Sequence, residues 1–255
     1  MVCYDGKIEK HIILNSVDDV NSYKKEFIGN GAFGACYKYS DNKVFKETDC
    51  GENNFFDITN LTKLESDFFA FPNELVYVGS RDVDNLVGYK MDYVEGIDIT
   101  NTDQEINIRD LIKASSDIED EILKLSFNEG LRLYDLHSGN VFYNVDDKTF
   151  KIIDTDSFKI GPYYSREDNY KNNLQEWGFF LLFDLAYYYN FRDEDINNLF
   201  DMCVNGGRKK PSVVLLKILE VIEKETGKEV KTLDEFIEGT NLIRKDSYMK
   251  KSRHI

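Results

Sequence analysis

Residues 134–140 read YDLHSGN, and Asp154 follows at the end of a second short apolar run, TFKIID. The polar loop sits between LRLY and VFYN, and the turn VDDK then leads into TFKIID, so the chain must lay down strands on both sides of the loop. Strands are rigid and alternate their side chains with period two, so Asp135, Asn140 and Asp154 are brought to one end of a hairpin. Their side-chain oxygens are hard donors of the type that divalent cations take. The plainer alternative is that Asp135 and Asn140 only shape the turn, bonding nearby backbone.

The first half of the chain supplies candidate partners. In FIGNGAFGACYKY, aromatic and β-branched residues flank Gly29, Gly31 and Gly34, as in a hairpin with a glycine-rich turn. A lone GxGxxG is weak evidence, but here it lies between strands, where its backbone amides can meet an anion. KVFKE at 43–47 reads as the next strand, with Val44 and Lys46 on one face. Residues 48–54 read as a loop, and 59–69 as a helix capped by Thr59 or Asn60 and ended by Pro72. In that helix Leu61, Leu64, Glu65 and Phe68 fall on one stripe, and a glutamate in an apolar stripe calls for a cation. Lys46 with Glu65 is the preferred pair; Lys43 is the rival cation, and Glu52 or Asp57 the rival anion. Strands are expected at 75–80 and 86–94.

Beyond 94–96 the composition turns helical. A Ser-capped helix is expected from SSDIEDEIL, a buried one from about 172 through QEWGFFLLFDLAYYY, and others at 193–203, 212–226 and 233–243. The aromatic run Trp177, Phe179, Phe180, Phe183, Tyr187 and Tyr188 reads as core packing because of its helical spacing. The basic end, with Arg244, Lys245, Lys250, Lys251 and Arg253, reads as a solvated terminus.

With 255 residues, 42% apolar and 31% charged, the chain has material for one domain of two lobes, about 1–94 and 95–255, sharing a cleft. A net charge of −15 opposes nucleic acid and anionic membranes as partners. The same field would repel a nucleotide, so any phosphate site must be neutralised locally by backbone N–H groups, a lysine and metal ions. Cys3, Cys36, Cys50 and Cys203 form no CxxC pair, which speaks against zinc and for a reducing compartment. MVCYDGKIEK lacks the apolar core of a signal peptide, and no apolar run reaches the ~20 residues of a membrane helix, so the expected location is cytoplasmic.

A glycine hairpin, a lysine on the adjoining strand and an Asp, Asn, Asp set together suit phosphoryl transfer, which needs metals held and one hydroxyl oriented. Over residues 27–178 the chain resembles the protein-kinase-like superfamily. The resemblance implies an α+β bilobal fold with a small antiparallel sheet and one helix in the first lobe and a mainly helical second lobe. It implies that Gly29, Gly31 and Gly34 cover the phosphates of ATP and that Lys46 pairs with Glu65 as its helix partner. Asp135 would be the base, and Asn140 and Asp154 the ligands of Mg2+ or Mn2+. Cys36 and Val44 would roof the adenine slot, Met91 would be the gatekeeper, and the main chain of Asp92 and Val94 would make the hinge bonds.

The departures also matter. Leu133-Tyr134-Asp135 replaces H-R-D, Asp154-Thr155-Asp156 replaces D-F-G, no APE is present, and Asn173 stands where helix F carries aspartate. His137 makes DLHxGN similar to the loop of aminoglycoside and choline phosphotransferases, although a lone histidine here can equally bond neighbouring backbone. The expectation is an ATP- and Mg-dependent transferase, first of the Ser/Thr protein-kinase type, then a small-molecule kinase. The rival of another class is a nucleotide-binding pseudokinase that serves as an interaction module.

Overall fold

The computed structural model describes residues 10–31, 34–48, 51–161, 164–186 and 191–245. The chain is mixed α/β, with a six-stranded sheet in its N-terminal half and helices later. In chain order the first half holds β1 (His11–Leu14), α1 (Val17–Val20), β2 (Glu26–Gly31), β3 (Gly34–Ser40), β4 (Lys43–Thr48), α2 (Gly51–Leu61), β5 (Glu74–Val78) and β6 (Leu86–Asp92). The sheet order is β1-β5-β6-β4-β3-β2. Adjacent strands are antiparallel except β1, which runs parallel to β5. The expectation of a purely antiparallel sheet is corrected at this edge. Residues 15–73 supply the long crossover that a parallel pair needs.

The helix of this half is also displaced from where the periodicity put it. Residues 51–54 are helical where a loop was expected, the helix running on to Leu61, and 62–69 are irregular where a helix was expected. Phe55, Ile58 and Leu61 recur at a spacing of three, and Ile58 and Leu61 are fully buried. Leu64, Phe69 and Phe71 are apolar too, yet they reach the core in an extended chain. Ala70 N–H donates to Ile152 O at 2.8 Å, and Ile152 N–H donates to Phe68 O at 2.8 Å. A helix over 59–69 would take those backbone groups away from Ile152, so tertiary pairing decides against it.

The second half contains α3 (Ile108–Asn128), β7 (Leu131–Arg132), β8 (Val141–Asn144), β9 (Thr149–Ile152), β10 (Lys159–Ile160), α4 (Arg166–Ala186), α5 (Glu194–Val204), α6 (Pro211–Thr226) and α7 (Leu233–Leu242). Asn107, not a serine, caps α3, its side chain accepting from the N–H groups of Arg109 and Asp110. The expected serine cap therefore falls inside a longer helix, where Ser115 bonds Glu119. Similarly α4 begins at Arg166 rather than near 172. Trp177 is fully buried among Phe150 and Phe180, while Phe179 on the same helix is 55% exposed. Tyr187, Tyr188, Lys250, Lys251 and Arg253 lie outside the described residues.

β8 and β9 form one antiparallel hairpin, and β7 pairs with β10. The loop 133–140 therefore hangs between two small ribbons, the β8–β9 hairpin resting on α3 and β7 on α3 and α4.

Candidate active site

Lys46 lies inside the sheet, opposite Cys36 on β3 and Tyr89 on β6. It is 2% exposed, and a buried ammonium is costly unless paired. Two carboxylates meet it: it is ion-paired with Asp154 and, at 2.7 Å, with Asp156. Burial pushes the Lys46 ammonium toward the neutral form, but the charges of Asp156 and Asp154 outweigh this and raise its pKa. For Asp154, burial acts upward and the Lys46 charge overrides it, so its carboxyl sits below the usual range. Burial, reinforced by the neighbouring charge of Asp154, raises Asp156 despite Lys46.

This cluster is not fully satisfied. One oxygen of Asp156 and the hydroxyl of fully buried Tyr89 make no well-formed hydrogen bond among the described residues, although the two groups are close enough for Asp156 to act on the phenol. Burial first, then the two carboxylates, push the Tyr89 phenol well above its ordinary pKa.

Asp135 and Asp154 both adopt left-handed backbone, with φ of 59° and 56°. Such residues cost about 1–3 kcal/mol each and persist where surrounding contacts impose them. Here those contacts are visible. Asn140 Nδ2 donates to Asp135 O at 3.0 Å, Asn140 N–H donates to His137 O at 2.8 Å, and Ile153 N–H donates to Asn140 O at 2.9 Å. The His137 ring lies 3.1 Å from Gly139 N–H and 3.0 Å from Asn140 Nδ2. A neutral imidazole has one acceptor nitrogen, so only one of these two contacts is a hydrogen bond at a time. The histidine thus bonds its own loop, while Asp135 stays exposed at the surface.

Asn173 supports the loop from beneath. Fully buried on α4, it accepts from Leu133 N–H at 2.8 Å and donates to Leu131 O and Ser126 Oγ, both at 2.9 Å. The strand entering Asp135 is therefore fixed by a neutral amide.

Of the residues expected from sequence, Lys46, Asp154, Asn140 and Asp135 belong to this one region. Glu65 does not. It lies beyond α2, exposed, and makes no ion pair with Lys46 because the segment carrying it is pinned to β9. The sequence reading passed over Asp156 as a departure, although two carboxylates spaced by two after a strand were a usable signal. Asp57, the rival anion, is buried on α2 but meets Lys159 at 2.9 Å and Ile160 N–H at 3.3 Å, tying the helix to β10. Lys43 pairs with Asp92 at the rim. The Glu52 side chain lies outside the described residues.

Gly31 and Gly34 face each other at the end of the β2–β3 hairpin, whose tip, 32–33, is outside the described residues. A Cβ at Gly34 would lie 1.8 Å from Glu47 O, so only glycine fits there, whereas a Cβ at Gly29 would meet nothing within 4 Å. Cys36 packs against a cluster containing Val44 and Met91. Burial pushes its thiol up to about 11 against the opposing Lys46 charge, which keeps it a protonated apolar filler. Beyond Asp92, Tyr93 N–H is bonded to Asn42 O at 3.0 Å, and Val94 backbone is free of hydrogen bonds among the described residues. A cavity of about 350 Å³ lies beside this connection, lined in part by Asp92, Tyr93, Val94 and Asn144.

No protein-family model and no curated protein matches this chain. Its chemistry rests on the geometry of its own residues. Among the described residues no cluster of three or more His, Cys, Asp or Glu side chains is placed to hold a metal. The amide of Asn140 and the 30%-exposed carboxylate of Asp154 are the hard-oxygen donors at hand. Among the same residues, no helix is long and apolar enough to cross a membrane.

Proposed function

We propose that the chain is an ATP- and magnesium-dependent phosphotransferase of bilobal, protein-kinase-like fold, moving the γ-phosphoryl group to a hydroxyl. The observation that carries this reading is the buried Lys46 clamped by Asp154 and Asp156, beside a loop that displays Asp135 in left-handed backbone. It also answers the charge problem: in a chain of net charge −15, Lys46 is the cation available beneath the glycine hairpin.

In this reading Asp135 orients the acceptor hydroxyl and takes its proton. Lys46 leaves Asp154 for the nucleotide phosphates and keeps Asp156 as its fixed counter-charge. Asn140 and Asp154 would hold magnesium, which supplies charge neutralisation on the phosphates. The Gly29 to Gly34 hairpin lends backbone amides, and Val94 the unpaired backbone of the connection.

Of the two acceptor classes, the geometry favours a small molecule over a protein Ser/Thr side chain. Only residues 155–165 separate Asp154 from α4, and β10 folds part of that link back onto β7. Little chain remains to seat a peptide. The pseudokinase reading draws on a different observation: Lys46 is already engaged by Asp154, and Glu65 does not hold it away.

The test is labelled ATP with the purified chain, protein pools and metabolite pools. Label on a metabolite supports the reading, and label on protein restores the Ser/Thr expectation. Magnesium-ATP binding with no consumption in any pool supports the interaction module, and an Asp154→Ala chain that retains full transfer overturns the assignment.

A further inference from the structure

Among the described residues, the Arg132 guanidinium and Nη1 of Arg166 have no polar partner. Arg132, on β7 three residues before Asp135, is half-buried with its guanidinium stacked over the rings of Tyr164 at 4.2 Å and Tyr134 at 5.2 Å. Among the described residues it forms no hydrogen bond and no ion pair, so aromatic faces hold the guanidinium while its five N–H donors stay unused. Arg166, at the start of α4, packs over Gly130: a Cβ there would lie 2.2 Å from its Nη1. That Nη1 is buried and also lacks a hydrogen-bond partner. Both guanidinium groups therefore lie between the same two segments, 130–132 and 164–166, Arg132 against Tyr164 and Arg166 against Gly130.

The Glu176 carboxyl on α4 feels the charges of both Arg132 and Asp135, so Arg132 shares that neighbourhood with the base. Burial raises the Glu176 carboxyl, and it sits beyond ion-pairing distance of Arg132, so it leaves the guanidinium open. In a strongly acidic chain, two unpaired arginines held in place beside one exposed aspartate make a local anion site.

We propose that Arg132 and Arg166 form a subsite for an oxyanion group, phosphate or carboxylate, carried by the hydroxyl acceptor. The assignment rests on the phosphotransferase reading for the word acceptor, while the anion site rests on the arginines alone. The hydroxyl would then be presented to Asp135 by an acceptor anchored three residues away, with the faces of Tyr134 and Tyr164 walling the subsite.

The experiment is calorimetric titration of the full chain with inorganic phosphate in saturating magnesium-ADP, repeated in a Lys46→Met background to exclude the nucleotide cleft. Phosphate should bind in both, and about tenfold or more weaker in Arg132→Gln and in Arg166→Gln, as expected for loss of charge-assisted hydrogen bonds. Tyr164→Leu, at a half-exposed position that cannot unfold the core, should weaken binding in the same direction. Absence of phosphate binding, or equal affinity in both arginine variants, overturns the subsite. Binding that appears only after phosphatase treatment of the chain also overturns it, since the occupant would then be a phosphorylated side chain of the protein itself. Arginine-dependent phosphate binding without any ATP turnover in the same preparation would remove the acceptor role and the phosphotransferase reading, and leave the anion site standing.

Discussion

The carboxylate cluster around buried Lys46 and the buried carboxylate at Glu119 are built on opposite principles. Glu119, fully buried on α3, accepts from Ser115 Oγ at 2.8 Å, Ser212 N–H at 2.8 Å and Ser212 Oγ at 2.6 Å, and Trp177 Nε1 donates to that Ser115 oxygen at 3.1 Å. Neutral donors meet both of its oxygens, and among the described residues no cation forms an ion pair with it, the Lys210 charge reaching it only from farther off. The Lys46 cluster instead sets one cation against two carboxylates and leaves an Asp156 oxygen and the Tyr89 hydroxyl without a well-formed hydrogen bond. A closed network of neutral bonds fixes packing, whereas a charged, incompletely bonded cluster is poised to exchange partners. The first welds α3, α4 and α6 together; the second is where, in the proposed phosphotransferase reading, a phosphate and a metal would enter.

The largest expected effect separates the clusters by activity. Asp154→Ala should lower phosphoryl transfer by roughly a thousandfold or more, the scale of losing a charge-stabilising group at a reacting centre. Glu119→Gln should leave transfer within a small factor of wild type, and the two rates in one labelled-ATP assay make the check. Comparable losses in both variants would erase the distinction.

Next comes Asn173→Ala, which removes two hydrogen bonds from the strand entering Asp135 and a third to Ser126 on α3. It should cost about 2–3 kcal/mol by urea unfolding and also reduce transfer, because the loop loses its register. Retained stability with lost activity would show that the amide acts only on the loop.

For Glu119→Ala the expected cost is about 1–3 kcal/mol, since Ser212 N–H is left buried without an acceptor. Glu119→Gln should cost less. Burial already raises the carboxyl against the bonds from Ser212 and Ser115, so the neutral side chain suits the site.

The smallest effects are protonic. Carboxyl NMR titration should find Asp156 titrating above 3.8 and Asp154 below it. The signs follow from linkage. Asp154, lowered in the fold, contributes stability that is present above about 3.8 and lost as pH falls through its folded value. Asp156, raised, costs stability at neutral pH, and that cost is relieved as pH falls through its folded value. At the other extreme, the Lys46 contribution is present below 10.5 and lost as pH rises through its raised folded value. Glu65→Gln, exposed and remote from Lys46, should change neither transfer nor the two carboxyl titrations.

Much of this organisation was legible in the chain. Alternation and turn residues located β2, β3, β4 and the β8–β9 hairpin, because strand patterning and turn chemistry are local. Asp135, Asn140 and Asp154 were legible for the same reason: they sit on loops whose flanking strands announce themselves. The partner of Lys46 was not, since an apolar stripe at 61–68 mimics a helix face, while the backbone there is claimed by Ile152, which is remote in sequence. Nor could composition reveal that β1 joins the sheet parallel to β5.

By itself, then, the sequence determined which polar side chains sit on the loops of this region and which strands carry them. Tertiary structure alone decided that Asp156 rather than Glu65 stands beside Lys46, that Asn173 pins the loop, and that, among the described residues, the Arg132 guanidinium and Arg166 Nη1 remain without a polar partner. Periodicity reports only which face of a segment is apolar. Which backbone donors and charges are left over is settled when distant segments compete for them.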